Sequence, residues 1–290
     1  LMETTSFTFF DNYLGHYCIL TEQNGFYKAN LGFCLHFCIF APRIMAEHIN
    51  NGNQSSFDDI GNKKASPEDV STILLRDYLT ETNNPLAQEI ESLSLMQVLE
   101  RMNLLDISPE QTLIKNVALL MFSYHPERFF PATQINVTLY PQGTGNIEYK
   151  QFNGAAHIAL RNVLDYLKYM VVRKYIHKPN DDAHSIVVYN YQYPVIEQCI
   201  ANACLCRNYE MPIPMEISAF PEYIEIISSG ESSKQVNPRL REFFKELHLT
   251  NNTEFDIKGI NEQQKNNGSP NIIIEANNAQ QNIIRIPCHI

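Results

Sequence analysis

Apolar and polar residues change spacing several times along the chain, and each change marks an element or a joint. Residues 1–50 are rich in aromatics with only weak alternation, which predicts strands without fixing their bounds. The stretch NGNQSSFDDIGNKKA (51–65) is polar and turn-forming, and reads as a linker or long loop. Three helix starts follow. Ser66-Pro67-Glu68-Asp69 supplies an N-cap hydroxyl, a proline at the first helical position and a carboxylate to close a capping box. Ser94 with Gln97, and Ser108-Pro109-Glu110-Gln111, repeat the pattern. The helices predicted from them cover about 67–80, 95–103 and 109–123, with Leu95, Val98, Leu99 and Met102 at helical spacing. Short helices in series suit a winged-helix DNA reader, but few of their residues are basic, which favours a helical connector.

Beyond residue 130 the period changes to two. INVTLYPQGTGNIEYKQF alternates around Gln142-Gly143-Thr144-Gly145-Asn146, the pattern of a hairpin. Its Gly-x-Gly lacks a third glycine or a following Lys-Ser/Thr, so a turn is favoured over a phosphate loop. Leu160, Val163, Leu164, Leu167, Met170 and Val171 then predict one amphipathic helix over 155–177. SIVVYNY reads as a strand, and Pro194 opens a helix through VIEQCIANACLCRNY. MEISAF and YIEIIS alternate as two strands. Asn237-Pro238 starts a helix with Leu240, Phe243, Phe244 and Leu247 inward, and NIIIE with NIIRIPCHI closes the chain as a hairpin. The order predicts an α+β fold with helices on one face of a mixed sheet. Its organisation reads as an unassigned segment 1–50, a linker with short helices over 51–125, and a sandwich domain over 126–290.

Composition narrows the function. A formal net charge of −10 argues against general polyanion binding. The seven cysteines are scattered and odd in number, which predicts reduced thiols in a cytoplasm. Cys34, His36 and Cys38 alternate within LGFCLHFCIF and share one face of a strand, but no second ligand pair accompanies them, so no zinc is expected. That ten-residue run is also too short for a bilayer, which needs about 20 apolar residues. No membrane partner is expected. No G-x-x-x-x-G-K-[ST] occurs, which excludes a P-loop helicase, and no G-x-S-x-G marks a hydrolase nucleophile.

Within 194–290 the order of residues becomes specific: PVIEQCIANACLCRNY, MEISAFPEYIEIISSG, NPRL, KGI and NGSP. Upstream stand FDDIGNKKASPEDV, SLMQVLERMNLL and VALLMFSYHPERFFPATQINVTLY. Together these segments resemble the RecG-related ATP-binding transcriptional regulators of bacteria, over roughly residues 43–290. The resemblance implies a C-terminal domain of the Bergerat (GHKL) ATP-binding fold, with ATP and Mg²⁺ as ligands. It also implies an N-terminal Alba-like, Schlafen-related DNA-binding domain, for which residues 1–50 are too few. DNA would then be a partner through that missing domain. A protein partner or a homodimer is also compatible.

Such an ATPase carries a carboxylate and an asparagine four residues apart on one helix face. The asparagine holds Mg²⁺ and the carboxylate takes the proton of the attacking water. The resemblance puts the asparagine at Asn202 and places Gln198 where the base belongs; an amide cannot take that proton. It assigns nucleotide contacts to Gln198, Asn202, Cys206, Arg207, Asn208, Gly230 and Gly259, and the metal to Asn202. The family's His-Arg-Asp-Tyr reads Cys206-Arg207-Asn208-Tyr209 here, and its glycine-rich turn reads Ile257-Lys258-Gly259-Ile260, with Ile257 expected to narrow the pocket. Glu197, one position and about 100° away from Gln198, is expected to face elsewhere. The implied function is a regulatory module that retains the ATP-binding fold, holds ATP and Mg²⁺ weakly or not at all, and does not hydrolyse ATP. The alternative is an active ATP-binding switch or slow ATPase of the same family.

Overall fold

Strands form where β-branched and aromatic residues alternate, and most of the alternating runs lie in the second half of the chain. The computed structural model describes residues 6–11, 16–23, 26–30 and 56–289, apart from 178–185, 231–235, 251–254 and 278–280. The chain divides into two units, 1–54 and 55–290. In the first, β1 (Ser6–Asp11), β2 (His16–Gln23) and β3 (Phe26–Asn30) form an antiparallel meander. Cys34, His36 and Cys38, singled out above as a zinc candidate, lie outside the described residues.

The larger unit opens with a 3-10 turn at Phe57–Asp59 and the short strand β4 (Gly61–Asn62). Helix α1 (Thr72–Glu81) starts later than the Ser66 signal suggested. Ser66 and Asp69 do close a capping box, but around a single 3-10 turn, and the Ser71 hydroxyl caps α1 itself. Helix α2 (Leu95–Arg101) keeps the expected Ser94–Gln97 box. The helix predicted over 109–123 is corrected. Strands β5 (Leu105–Ile107) and β6 (Thr112–Lys115) pair as a hairpin there, and only α3 (Asn116–Phe122) is helical. The Ser108 hydroxyl, expected to cap a helix, bonds across the hairpin turn to both the backbone N–H and the carbonyl of Gln111. Pairing of β6 with β4 and β5 overrides the local signal.

Six strands make the main sheet: β7 (Ile135–Leu139), β8 (Glu148–Phe152), β11 (Met215–Ala219), β12 (Tyr223–Ser229), β13 (Ile273–Ala276) and β14 (Gln281–Pro287). Their order across it is β13-β14-β12-β11-β7-β8. Only β7 and β11 run parallel. On β11, β12 and β14 every second residue is buried, including Ile217, Ile224, Ile226, Ile284 and Ile286. Helices α4 (Ala156–Met170) and α5 (Tyr193–Leu205) cover that face, α4 over β7 and β8, α5 over β12 and β14. The fold is α+β.

Helix α4 stops at Met170, short of the predicted 177, and Lys174–His177 forms β9, paired with β10 (Ile186–Tyr189). The Asn190 side chain enforces the stop. It donates to the Val171 carbonyl and accepts the Arg173 N–H, so the chain turns instead of closing another helical bond. Helices α6 (Pro238–Glu246) and α7 (Ile257–Asn266) complete the unit. The core runs without a break from α1 and α3 into the sheet: Leu75, Phe122, Phe243 and Ile226 belong to one buried cluster. The segment read as a connector therefore packs as part of the same body as residues 126–290.

Candidate functional site

Helix α5 sets up the site because its two edges differ. Pro194 starts it, Val195, Ile196, Cys199, Ile200 and Ala203 are buried on the sheet side, and Gln198 and Asn202 lie one turn apart on another edge. That edge borders a cavity of about 320 Å³ whose far walls come from Arg241 of α6, the turn after that helix, and α7 with its N-cap Asp256. Its polar lining includes Glu197, Gln198, Asn202, Arg241, His248 and Asp256. Glu197 was expected to face elsewhere, yet it borders the same space, with burial pushing its carboxyl above the usual carboxylate range against the pull of Lys168.

Two buried polar side chains, Asn202 and Arg241, are among the residues that line this cavity. Asn202 is 6% exposed and Arg241 7%, and neither Asn202 Nδ2 nor Arg241 Nε has a hydrogen-bond partner among the described residues. Arg207 Nε is in the same state, so the lack of a partner does not by itself mark a binding atom. Arg241 was not among the residues read from the sequence. Its position is built from both ends of α6. Asn237 donates to the Leu205 and Arg207 carbonyls, tying the start of α6 to the end of α5. The fully buried Asp58 carboxylate accepts the Leu240 N–H at 2.8 Å and caps α6 from 182 positions away in sequence.

Cys206 completes the stripe expected on α5, though it is the C-cap and buried. Its Sγ donates to Asn202 Oδ1 at 3.4 Å. Burial raises the thiol's pKa, and the charge and hydrogen bond of Arg241 at the sulfur pull it back. The other expected contacts are placed differently. Arg207 is buried away from the cavity: it donates to the Ala132 carbonyl, reaches Cys204 Sγ at 3.8 Å and lies over the Tyr209 ring. Asn208 accepts the Glu210 N–H and its backbone bonds Ser229, as part of a turn. Gly230 sits at φ +106°, where a Cβ would run into the Cys206 carbonyl; it allows close backbone approach at the end of α5. Gly259 donates to Asp256 Oδ1, the N-cap of α7, and a Cβ there would meet that carboxylate. Ile257 is exposed and outside the cavity lining, so it does not narrow the space. Residues 231–235, between β12 and α6, lie outside the described residues.

The fit to the two implied ligands differs. The Arg241 charge at the cavity wall suits an anion. A Mg²⁺ ion needs oxygen donors, and the Asn202 oxygen accepts the Cys206 thiol. The residues present do not fit the metal role assigned to Asn202. Among the described residues no group of three or more histidines, cysteines and carboxylates could hold a metal, and no helix is long and apolar enough to cross a membrane.

No family model matches the chain, and no curated protein matches it. Among solved structures it is similar to the crystal structure of the DIP2311 protein from Corynebacterium diphtheriae, a structural genomics target, with 12% identity and a TM-score of 0.57. The match covers 99% of this chain and 60% of that one, so the chain spans well under two thirds of that protein's length. At that identity the likeness is one of fold.

Proposed function

We propose that the 55–290 unit is the nucleotide-sensing part of a regulator, taking the phosphates of ATP against α5 and α6 without hydrolysing it. The observation that carries this reading is the buried Arg241 at the wall of a cavity that Asn202 and Gln198 also line, with Gln198 where a base would stand. Arg241 supplies a fixed charge for a phosphate oxygen. Gln198 is held against its own helix, donating to the Pro194 carbonyl at 3.1 Å, and has no basic site for the proton of water. Transcriptional control, with DNA bound by a domain outside this unit, is the setting the family resemblance implies. Thiols at Cys199, Cys204 and Cys288 agree with a reducing cytoplasm.

Calorimetric titration of the full chain with ATP tests the reading. Expected is a dissociation constant on the order of 0.1–1 mM, with phosphate release no faster than in buffer. Arg241→Gln should remove the heat of binding. Absence of heat at millimolar ATP would refute the proposal.

A second reading, slow hydrolysis, is favoured by one observation: Glu197 borders the cavity with its carboxyl pKa raised by burial, as suits a general base. It predicts turnover that Glu197→Gln abolishes while ATP binding persists.

A further inference from the structure

Strands β9 and β10 form a two-stranded sheet of their own, joined to no other strand among the described residues. Such a ribbon is marginal in water by itself. Its base is pinned: the Asn190 N–H donates to the Arg173 carbonyl at 3.1 Å, and the Asn190 side chain accepts the Arg173 N–H. Arg173 and Asn190 therefore face each other as a bonded pair, and antiparallel alternation makes Tyr175 and Val188 the next such pair. Lys174, Ile176, Val187 and Tyr189 turn their main-chain groups outward. Asn267, the C-cap of α7, covers the outer edge of β10 by bonding both the N–H and the carbonyl of Tyr189. The outer edge of β9, at Lys174 and Ile176, has no such cover among the described residues. Both faces of the ribbon also carry exposed large side chains. Ile176 is 66% exposed and Val187, directly opposite it on one face, 47%; Tyr175, on the other face, is 55% exposed.

We propose that this edge docks a second copy of the chain, the two β9 strands pairing antiparallel about a two-fold axis at Tyr175. The ribbon suits its own copy because that register closes on itself. Lys174 then stands opposite the partner's Ile176, and the outward main-chain groups of these two residues meet on both sides of the axis. Tyr175 faces the partner's Tyr175 in the closer, non-hydrogen-bonded position, where two aromatic side chains pack against each other. Charge favours the same register. Lys174 meets an isoleucine rather than a second lysine, and the Arg173 guanidinium is folded back on the carbonyls of Tyr169, Met170 and Val172. A nucleic acid fits less well: that arginine, the better phosphate ligand of the two cations, is already engaged, and Ile176 and Val187 offer phosphates nothing. Area sets the strength. Two four-residue ribbons joined edge to edge bury on the order of 1,000 Å² in total, the low end for a specific interface, so the dimer is weak and reversible.

Sedimentation velocity on the full chain, from about 1 to about 200 µM, tests the proposal. Expected is a monomer–dimer equilibrium with a dissociation constant on the order of 10–100 µM. Ile176→Pro removes an outward N–H and leaves the ribbon's own ladder intact. It should weaken dimerisation at least about tenfold with the far-ultraviolet circular dichroism unchanged. A chain that stays monomeric at the highest concentration would overturn the proposal and leave the edge to a different protein. A dimer that Ile176→Pro does not weaken would overturn it by placing the interface elsewhere. Cross-linking decides the matter even if Ile176→Pro does not fold. In Tyr175→Cys the two thiols lie opposite each other across the axis, at a Cα separation of about 4.5 Å that a disulfide spans. Oxidation by diamide should give covalent dimer at least about fivefold faster than in Lys174→Cys or the parent chain, whose thiols are not brought together at this axis. Equal rates in the three proteins would show that β9 does not pair with its copy.

Discussion

Two buried arginines stand at the two ends of one joint, and the protein uses them in opposite ways. Arg207, just past α5, is 1% exposed and has its guanidinium on the Ala132 carbonyl, Cys204 Sγ and the Tyr209 ring. Arg241, in α6, is nearly as buried, yet it touches the Cys206 thiol and lines the cavity, which Arg207 does not. The family resemblance pointed to the first as a phosphate contact. The structure commits that one to the fold and sets the second at the cavity wall. Burial alone does not separate a structural cation from a ligand-binding one; the direction and partners of the guanidinium do.

The largest effect should come from Arg207. Arg207→Leu removes the donor to Ala132 and the ring contact with Tyr209 together, in a core that cannot refill the space. We expect a loss of about 4 kcal/mol, seen as a melting temperature lower by roughly 10 °C. Arg241→Leu should cost less, about 1–2 kcal/mol, since it loses the hydrogen bond to the Cys206 sulfur and no ring contact, while removing anion binding altogether. Equal losses of stability in the two variants would erase the distinction between them.

Gly230→Ala comes next. The residue sits at φ +106° with the Cys206 carbonyl where a Cβ would go, and it bridges to Arg207. Strain of about 2–3 kcal/mol is expected from backbone and contact together. Urea unfolding should show a lower midpoint with unchanged slope. The effect sharpens the comparison if ATP affinity, measured at a temperature where the variant is folded, stays within about threefold of the parent. A glycine that contacts phosphate itself would lose far more.

Much of this arrangement was legible in the sequence, because period and punctuation agree where strands and helices make their own contacts. The break at Gly143 between two alternating runs gave the β7–β8 hairpin, and Pro194 with its apolar spacing gave α5 and the edge bearing Gln198 and Asn202. The failures are tertiary. Ser108-Pro109-Glu110-Gln111 carries a helix-start pattern, but Thr112–Lys115 finds two strand partners, and the same serine serves a turn. Arg241 had no local signal to separate it from Arg239, which pairs with Glu242 and Asp59. Only the packing of α6 against α5 distinguishes them. Glu197 misled for a related reason: a wide cavity at the helix edge admits neighbours about 100° apart.

The smallest expected effect concerns the residue that holds α6, and with it Arg241, in place. Asp58 is fully buried, accepts the Leu240 N–H, and has its carboxyl pKa raised, chiefly by desolvation and against the hydrogen bonds from Ser56, Leu240 and Arg239. A carboxyl whose pKa is higher folded than unfolded binds its proton more readily in the folded state. Its stabilising contribution is therefore fully present below the usual carboxylate pKa near 4 and is lost as pH rises through the folded value. An asparagine in its place would cap α6 without a charge to desolvate, so Asp58→Asn should change stability by only about 1 kcal/mol at pH 7. Denaturation midpoints measured from pH 7 down to pH 4 should show the parent gaining on Asp58→Asn as the pH falls. A gap that moves the other way would mean that the charged carboxylate, not the neutral acid, is what the α6 N-terminus holds. In that case the α6 dipole, rather than burial, would set the charge of the cap, and Arg241 would sit on a helix anchored by a buried anion.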